Sequence, residues 1–173
     1  MEQKKIVQWL LPAGAAAAVV VLIGVLISLS DWGGSSAGKP PEKPSEDDLT
    51  KFPHFSLTAP EWKPVDEAKY PGLKSWDVVV GAGAPVSSGA TVTIHYTGWT
   101  LDGKKFDSSL DKGSPATFGL GSLIKGWQAG IPGMMPGGKR RLLIPYDLGY
   151  GLQGGAGGKI PPKAMLVFEI DLQ

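Results

Sequence analysis

His95-Tyr96-Thr97-Gly98 leads through Asp102-Gly103 into Lys104-Lys105-Phe106-Asp107-Ser108-Ser109, and the fold is read outward from this stretch. Residues 91–97 alternate. Val92, Ile94 and Tyr96 share one strand face, while Thr91, Thr93, His95 and Thr97 share the other. Asp102-Gly103 is a hairpin signal, expected to place both turn residues at positive φ. The return strand then carries Phe106 and Asp107 back beside Tyr96. Three further strands are expected, at 75–80, 139–144 and 164–172. In the last, Leu166, Phe168, Ile170 and Leu172 form one face and Val167, Glu169 and Asp171 the other. Residues 139–144 place Leu142 and Ile144 inward. Lys139-Arg140-Arg141 reads as a solvated strand edge that resists edge-to-edge pairing. One short helix is expected over 123–129, with Ser122 as N-cap and Gly130 and Pro132 ending it. It sets Ile124 and Trp127 on one face, and Gly126 leaves room for a close neighbour. The pattern predicts an α+β domain over residues 72–173, an antiparallel sheet curved around a single helix.

Composition narrows the chemistry. The 173 residues carry 17 Lys and Arg against 16 Asp and Glu, a net charge of +1 that gives no reason to expect nucleic acid. Without cysteine, disulfides and thiol chemistry are excluded. The two histidines, His54 and His95, are far apart, which argues against a histidine metal site; no metal or cofactor is expected. No Ser-His-Asp arrangement or phosphate loop is evident. Gly154-Gly155-Ala156-Gly157-Gly158 lacks a following helix and a Lys-Ser pair, so it reads as a flexible hairpin or lid.

Two zones precede the domain. Residues 1–30 place Lys4 and Lys5 before an apolar run, 10–29, with no charge inside it. As a helix that run is ~30 Å long, enough to cross a bilayer's hydrocarbon core. Trp9 and Trp32 flank it at interface positions, and Lys4 and Lys5 send the rest of the chain outward. A transmembrane anchor is the first expectation. A cleaved signal peptide is the second, because Ser28 and Ser30 have peptidase spacing. The domain is then extracytoplasmic, either membrane-anchored or secreted. Residues 31–71 open with Gly33-Gly34-Ser35-Ser36 and a proline-rich stretch, a linker composition. Phe52, Phe55, Leu57, Trp62 and Tyr70 leave two readings open, a linker with scattered aromatics or a segment docked on the domain through Phe52 to Leu57 or Trp62.

Any one of Tyr96, Phe106, Trp127, Tyr150 and Phe168 alone would read as a core aromatic. Their settings point further. Tyr96 and Phe168 lie on inward strand faces, Trp127 faces inward from the helix, and Tyr150 lies in a glycine-rich loop where a core tyrosine is less expected. Asp107 is placed to accept a hydrogen bond from the Tyr96 hydroxyl. His95 lies on the polar face and reads as a structural or surface residue, not as a base.

Together with Ile124-Lys125-Gly126-Trp127, Tyr150-Gly151, Ile160-Pro161-Pro162 and Leu166-Val167-Phe168, the opening stretch closely resembles the FKBP-type peptidyl-prolyl cis-trans isomerases. The motifs run in order, with near-family spacing, over residues 73–173. The resemblance implies a five- to six-stranded sheet wrapped on one short helix, with a pocket between them. It implies Trp127 as the floor under a prolyl ring, Tyr96, Phe106 and Phe168 as walls, and Leu123 and Ile160 at the margin. It further implies that the Ile124 N–H and the Tyr150 hydroxyl bind substrate carbonyls, with Asp107 beside Tyr96. The implied catalytic set is thus Tyr96, Asp107, Ile124, Tyr150 and Phe168. Macrolide binding is implied for the same pocket.

Several positions depart from the family pattern. Ala116 stands where an aromatic is common, so one wall is expected to be lower; Lys112 replaces an arginine, and Leu148 a tyrosine. The expected function is isomerisation of X-Pro bonds in unfolded or nascent chains outside the cytoplasm. The alternatives are a non-catalytic prolyl-binding chaperone module and a structural subunit of an envelope complex.

Overall fold

The computed structural model describes residues 56–173. The expected anchor at 10–29, the signal-peptide sites, Phe52 and Phe55 lie outside the described residues. Among the described residues, no helix is long and apolar enough to cross a membrane.

Among the described residues, seven strands and one α-helix make up the fold. They are β1 (Lys63–Pro64), β2 (Lys74–Val79), β3 (Thr91–Thr100), β4 (Lys105–Ser108), β5 (Ala116–Gly119), α1 (Lys125–Gly130), β6 (Lys139–Ile144) and β7 (Leu166–Leu172). All join one antiparallel sheet in the order β1-β2-β6-β7-β3-β4, with β5 also paired to β3. The FKBP-like arrangement of a sheet on one short helix holds, with more strands than the five or six expected. The additions are short. β1 falls in the segment expected to be linker, and β5 covers the stretch Ala116-Thr117-Phe118-Gly119.

Alternation places the apolar faces as expected. Val92, Ile94, Tyr96, Leu142, Ile144, Leu166, Phe168, Ile170 and Leu172 are buried together with Trp127 of α1. The helix approaches the sheet closely at Gly126, where a Cβ would lie 2.5 Å from Ile144 Cγ2. It starts later than expected. Ile124 is the N-cap, and Ser122 lies in a 3-10 turn, donating its hydroxyl to the Gly119 carbonyl at 2.8 Å. The short polar side chain is satisfied locally before the helix begins.

The Asp102-Gly103 turn also differs from expectation. Only Gly103 has positive φ, at 78°. The Gly103 N–H donates to Thr100 O, and the Thr100 N–H to Lys104 O. The connection is therefore a three-residue loop ending on a left-handed glycine, the usual alternative to the two-residue primed turn.

Lys139-Arg140-Arg141 is not an edge. β6 lies between β2 and β7, and its cations are matched across the sheet. Lys139 pairs with Glu169 and Asp171, and Arg141 with Glu169. Arg140 forks onto Asp77 and donates to the Gly130 and Pro132 carbonyls at the end of α1. Opposite charges on neighbouring strands supply what solvent supplies at an edge.

Leu143 and Val167 point to the opposite sheet face and are also buried. Leu57 and Trp62 cover them, with Trp76, Trp99 and Met165 packed alongside. Trp62 meets Trp76 edge-on at 5.8 Å and donates its indole N–H to the Ser56 carbonyl. Of the two readings of this segment, docking is realised at Leu57 and Trp62.

Candidate active site

A cavity of about 370 Å³ lies between α1 and the sheet, within the range of small-ligand sites. Trp127 forms its floor. The indole is 4 % exposed and is ringed edge-to-face by Tyr96 at 5.3 Å, Phe168 at 5.0 Å and Phe118 at 6.2 Å. Such pairings join the positive edge of one ring to the negative face of another. The indole N–H is buried with no hydrogen-bond partner among the described residues. Phe106 stands edge-on to Phe168 at 5.4 Å. Both phenyl rings press against Gly98, where a Cβ would lie 2.6 Å from each. The His-Tyr-Thr-Gly run thus ends in glycine because the two walls leave no room for a side chain.

The polar rim centres on Asp107. The Tyr96 hydroxyl donates to Asp107 Oδ2 at 2.5 Å, as expected, and Lys112 Nζ donates to Oδ1 at 2.9 Å. Lys112 also reaches the Tyr96 hydroxyl at 3.4 Å. Burial pushes the Asp107 carboxyl up. The hydrogen bonds from Tyr96 and Lys112, the lysine charge and the Ser108 N–H outweigh burial and hold it below the usual carboxylate range. Burial, then the hydrogen bond to Asp107 and its charge, push the Tyr96 phenol up. For Tyr150 the causes are burial and then the Asp107 charge, and its phenol is also raised.

Two donors face the cavity unused. The Ile124 N–H precedes the first turn of α1 and has no partner among the described residues, as helix-start donors commonly lack one. The Tyr150 hydroxyl makes no hydrogen bond there either, and the residue is 39 % exposed. Exposed Ser122 and Tyr150 mark the opening to solvent.

Eight of the nine residues expected at the site line this cavity: Tyr96, Phe106, Asp107, Leu123, Ile124, Trp127, Tyr150 and Phe168. Ile160 does not. It is 2 % exposed in the core, and its backbone bridges to Gly155. The wall expected to be low at Ala116 is supplied by Phe118, two residues along the same strand face. Its signal was present in the sequence as the second apolar position of a four-residue alternation. Ser109 was also missed. Fully buried, it accepts the Tyr96 N–H at 2.8 Å and lies 3.1 Å from His95 Nδ1, which makes His95 structural. The glycine-rich loop is a hydrogen-bonded hairpin, with Gly155 and Ile160 exchanging both backbone bonds.

The sequence of the FK506-binding protein of Neisseria meningitidis serogroup B is 52 % identical over 103 residues, covering 58 % of this chain and 94 % of that protein. A peptidyl-prolyl cis-trans isomerase of Schizosaccharomyces pombe is 50 % identical over 86 residues, 49 % of this chain and 76 % of its own length. A crystal structure of the isomerase from Pseudomonas syringae pv. tomato superposes with a TM-score of 0.59 at 33 % identity, covering 77 % of this chain and 96 % of that one. The family model for FKBP-type peptidyl-prolyl cis-trans isomerases matches residues 83–173, and with that match, these relatives and the aromatic cavity in place, the chain belongs to the FKBP-type peptidyl-prolyl cis-trans isomerases.

Proposed function

We propose that the cavity over Trp127 holds the prolyl ring while the preceding amide twists. The observation that carries this reading is an aromatic-floored hollow, open at one side, with the Tyr96–Asp107 pair on its rim. The peptide bond resists rotation by about 18–20 kcal/mol because the amide is conjugated. Unaided X-Pro isomerisation takes about tens to hundreds of seconds. No bond breaks, so the chemistry needs no nucleophile. In the twisted amide conjugation is lost and the carbonyl oxygen carries less negative charge. A dry aromatic wall therefore suits it better than it suits the planar ground state.

The residues divide the work by position. Trp127, Phe106, Phe118 and Phe168 give the hollow its shape, with Leu123 at its margin. The Ile124 N–H and the Tyr150 hydroxyl are donors for the carbonyls flanking proline, holding the chain in a turn-like path. Asp107 fixes the Tyr96 ring through its hydroxyl. A prolyl-binding module without catalysis gains support only from a low wall at Ala116, and Phe118 fills that place. FK506-type macrolides are ligands for the same hollow, a reading supported by the names of the relatives.

We place the domain outside the cytoplasm, tethered by residues 10–29, with unfolded proline-containing chains as clients. The charge-free apolar run behind Lys4 and Lys5 supports this. Membrane fractionation of the full chain, with sequencing of the mature N-terminus, checks it.

Asp107→Ala tests the mechanism. Losing a charge-assisted hydrogen bond on the rim is expected to lower kcat/KM on a proline peptide by about 10- to 100-fold. Circular dichroism should show the variant folded. Unchanged turnover would remove the Tyr96–Asp107 pair from the mechanism.

A further inference from the structure

Tyr150 presents a puzzle of positioning. Its hydroxyl has no hydrogen-bond partner among the described residues, and its ring is 39 % exposed. Nothing polar aims it, yet it lines the cavity. What meets the ring is backbone. A Cβ built on Gly155 would lie 2.6 Å from Tyr150 Cδ1, 3.1 Å from Cε1 and 3.3 Å from Cγ, so the glycine lies flat against the ring.

Gly155 is itself held. Its N–H donates to the Ile160 carbonyl at 3.0 Å, and the Ile160 N–H returns to the Gly155 carbonyl at 3.1 Å. Ile160 is 2 % exposed, anchored in the core. Gly154 adds a second constraint, since its φ of +70° and a Cβ position 2.2 Å from Ile160 O admit only glycine there. A chain of contacts therefore runs from the core through Ile160 and Gly155 to the Tyr150 ring.

We propose that Gly155 is a positioning residue for Tyr150, a backbone platform that sets where the phenol hydroxyl meets the substrate carbonyl. This rests on the role of Tyr150 argued above. A hydrogen bond to a developing geometry is sensitive to displacements well under 1 Å, and a methyl group at Gly155 cannot be added without moving the ring. Gly155 has φ −173°, an extended conformation open to alanine, so the substitution acts through contact and not through backbone strain. The proposal also accounts for Ile160, which does not touch the cavity and still shapes it.

A double-mutant cycle on the full chain tests this, with Gly155→Ala, Tyr150→Ala and the pair assayed for kcat/KM on a proline peptide. Thermal midpoints are recorded for each. Tyr150→Ala alone is expected to lower kcat/KM about tenfold, the equivalent of one hydrogen bond. Gly155→Ala alone is expected to lower it about three- to tenfold and to add nothing in the Y150A background. If Gly155→Ala also lowers the midpoint, the Y150A change should restore it, because among the described residues the three atoms nearest the added methyl all belong to the Tyr150 ring. Equal damage from Gly155→Ala in both backgrounds overturns the proposal, since the loop then acts without the ring. Full activity in Gly155→Ala, with Tyr150→Ala impaired, overturns it while sparing the role of Tyr150. Full activity in Tyr150→Ala removes both.

Discussion

Asp107 shows how a surface carboxylate becomes part of a site. Its hydrogen bonds from Tyr96 and Lys112 favour the charged form more than partial burial opposes it. Because folding lowers its pKa, the ionised group stabilises the fold. That contribution is complete above the ordinary value of about 3.9 and is lost as pH falls through the lower folded value. As far as Asp107 is concerned, turnover should therefore hold through the ordinary carboxylate range and fall only as pH drops through the lower folded value and the carboxyl is protonated. At the other limit, both Tyr96 and Tyr150 stay protonated past about pH 10, so neither sets an alkaline limb below it. A kcat/KM profile with Asp107→Asn as the control checks the acid limb, and a limb unchanged in that variant assigns it elsewhere. Gly98 makes a second case. Adding a methyl there must displace Phe106 and Phe168 together, so Gly98→Ala is expected to cost about 1–3 kcal/mol in urea unfolding and to lower turnover. Gly119→Ala, with φ −77° and open space around it, should leave stability unchanged or slightly raised. The Tyr96–Asp107 contact was legible in the sequence because a strand, a turn and a return strand fix it almost locally. Phe118 was signalled only by a four-residue alternation, and Ser109 was not legible, because its role depends on how the chain enters the 3-10 turn that follows it.

At the scale of elements, the strands that could be read were those with several alternating apolar positions. β3, β6 and β7 are long enough for the period to show. β1 and β5 have two and four residues and exist only because a neighbouring strand offers partners. The position of β6 was misread for a different reason: a run of three cations looks the same at an edge and in the centre of a sheet. The informative signal was relational, since Glu169 and Asp171 on β7 and Asp77 on β2 carry the opposite sign. Arg140 joins three elements, bonding Asp77 of β2 and the carbonyls of Gly130, at the end of α1, and Pro132, just past it, with a side chain only 13 % exposed. Arg140→Ala leaves those acceptors without their donor and is expected to cost about 1–3 kcal/mol in urea unfolding. Arg140→Lys should recover only part of this, since an ammonium cannot fork onto a carboxylate and reach both carbonyls. Full recovery by lysine would show that charge alone matters there.

The whole molecule divides its labour between two faces of one sheet. The face toward α1 builds the cavity, and the other is closed by Leu57 and Trp62, whose segment the sequence left open between linker and docked strap. The aromatics of residues 49–70 left linker and docked segment equally open because they show no periodicity, and Leu57 and Trp62 are 2 % and 8 % exposed. The folded unit thus extends upstream of Gly72 as a docked strap. Removing the strap uncovers Leu143 and Val167 on the back of the central strands while leaving every cavity-lining residue in the chain. Burial of two large side chains contributes about 1.5–3 kcal/mol each, and the entropy of ordering the segment offsets part of that. A chain of residues 72–173 should therefore be less stable than one of residues 56–173 by about 2–3 kcal/mol and melt about 10 °C lower. Its kcat/KM on a short proline peptide, measured well below either midpoint, should be the same. Equal melting of the two chains would make the strap a passive cover. A drop in kcat/KM without a drop in stability would instead couple the back of the sheet to the cavity through Leu143, Val167 and their strand neighbours Leu142 and Phe168.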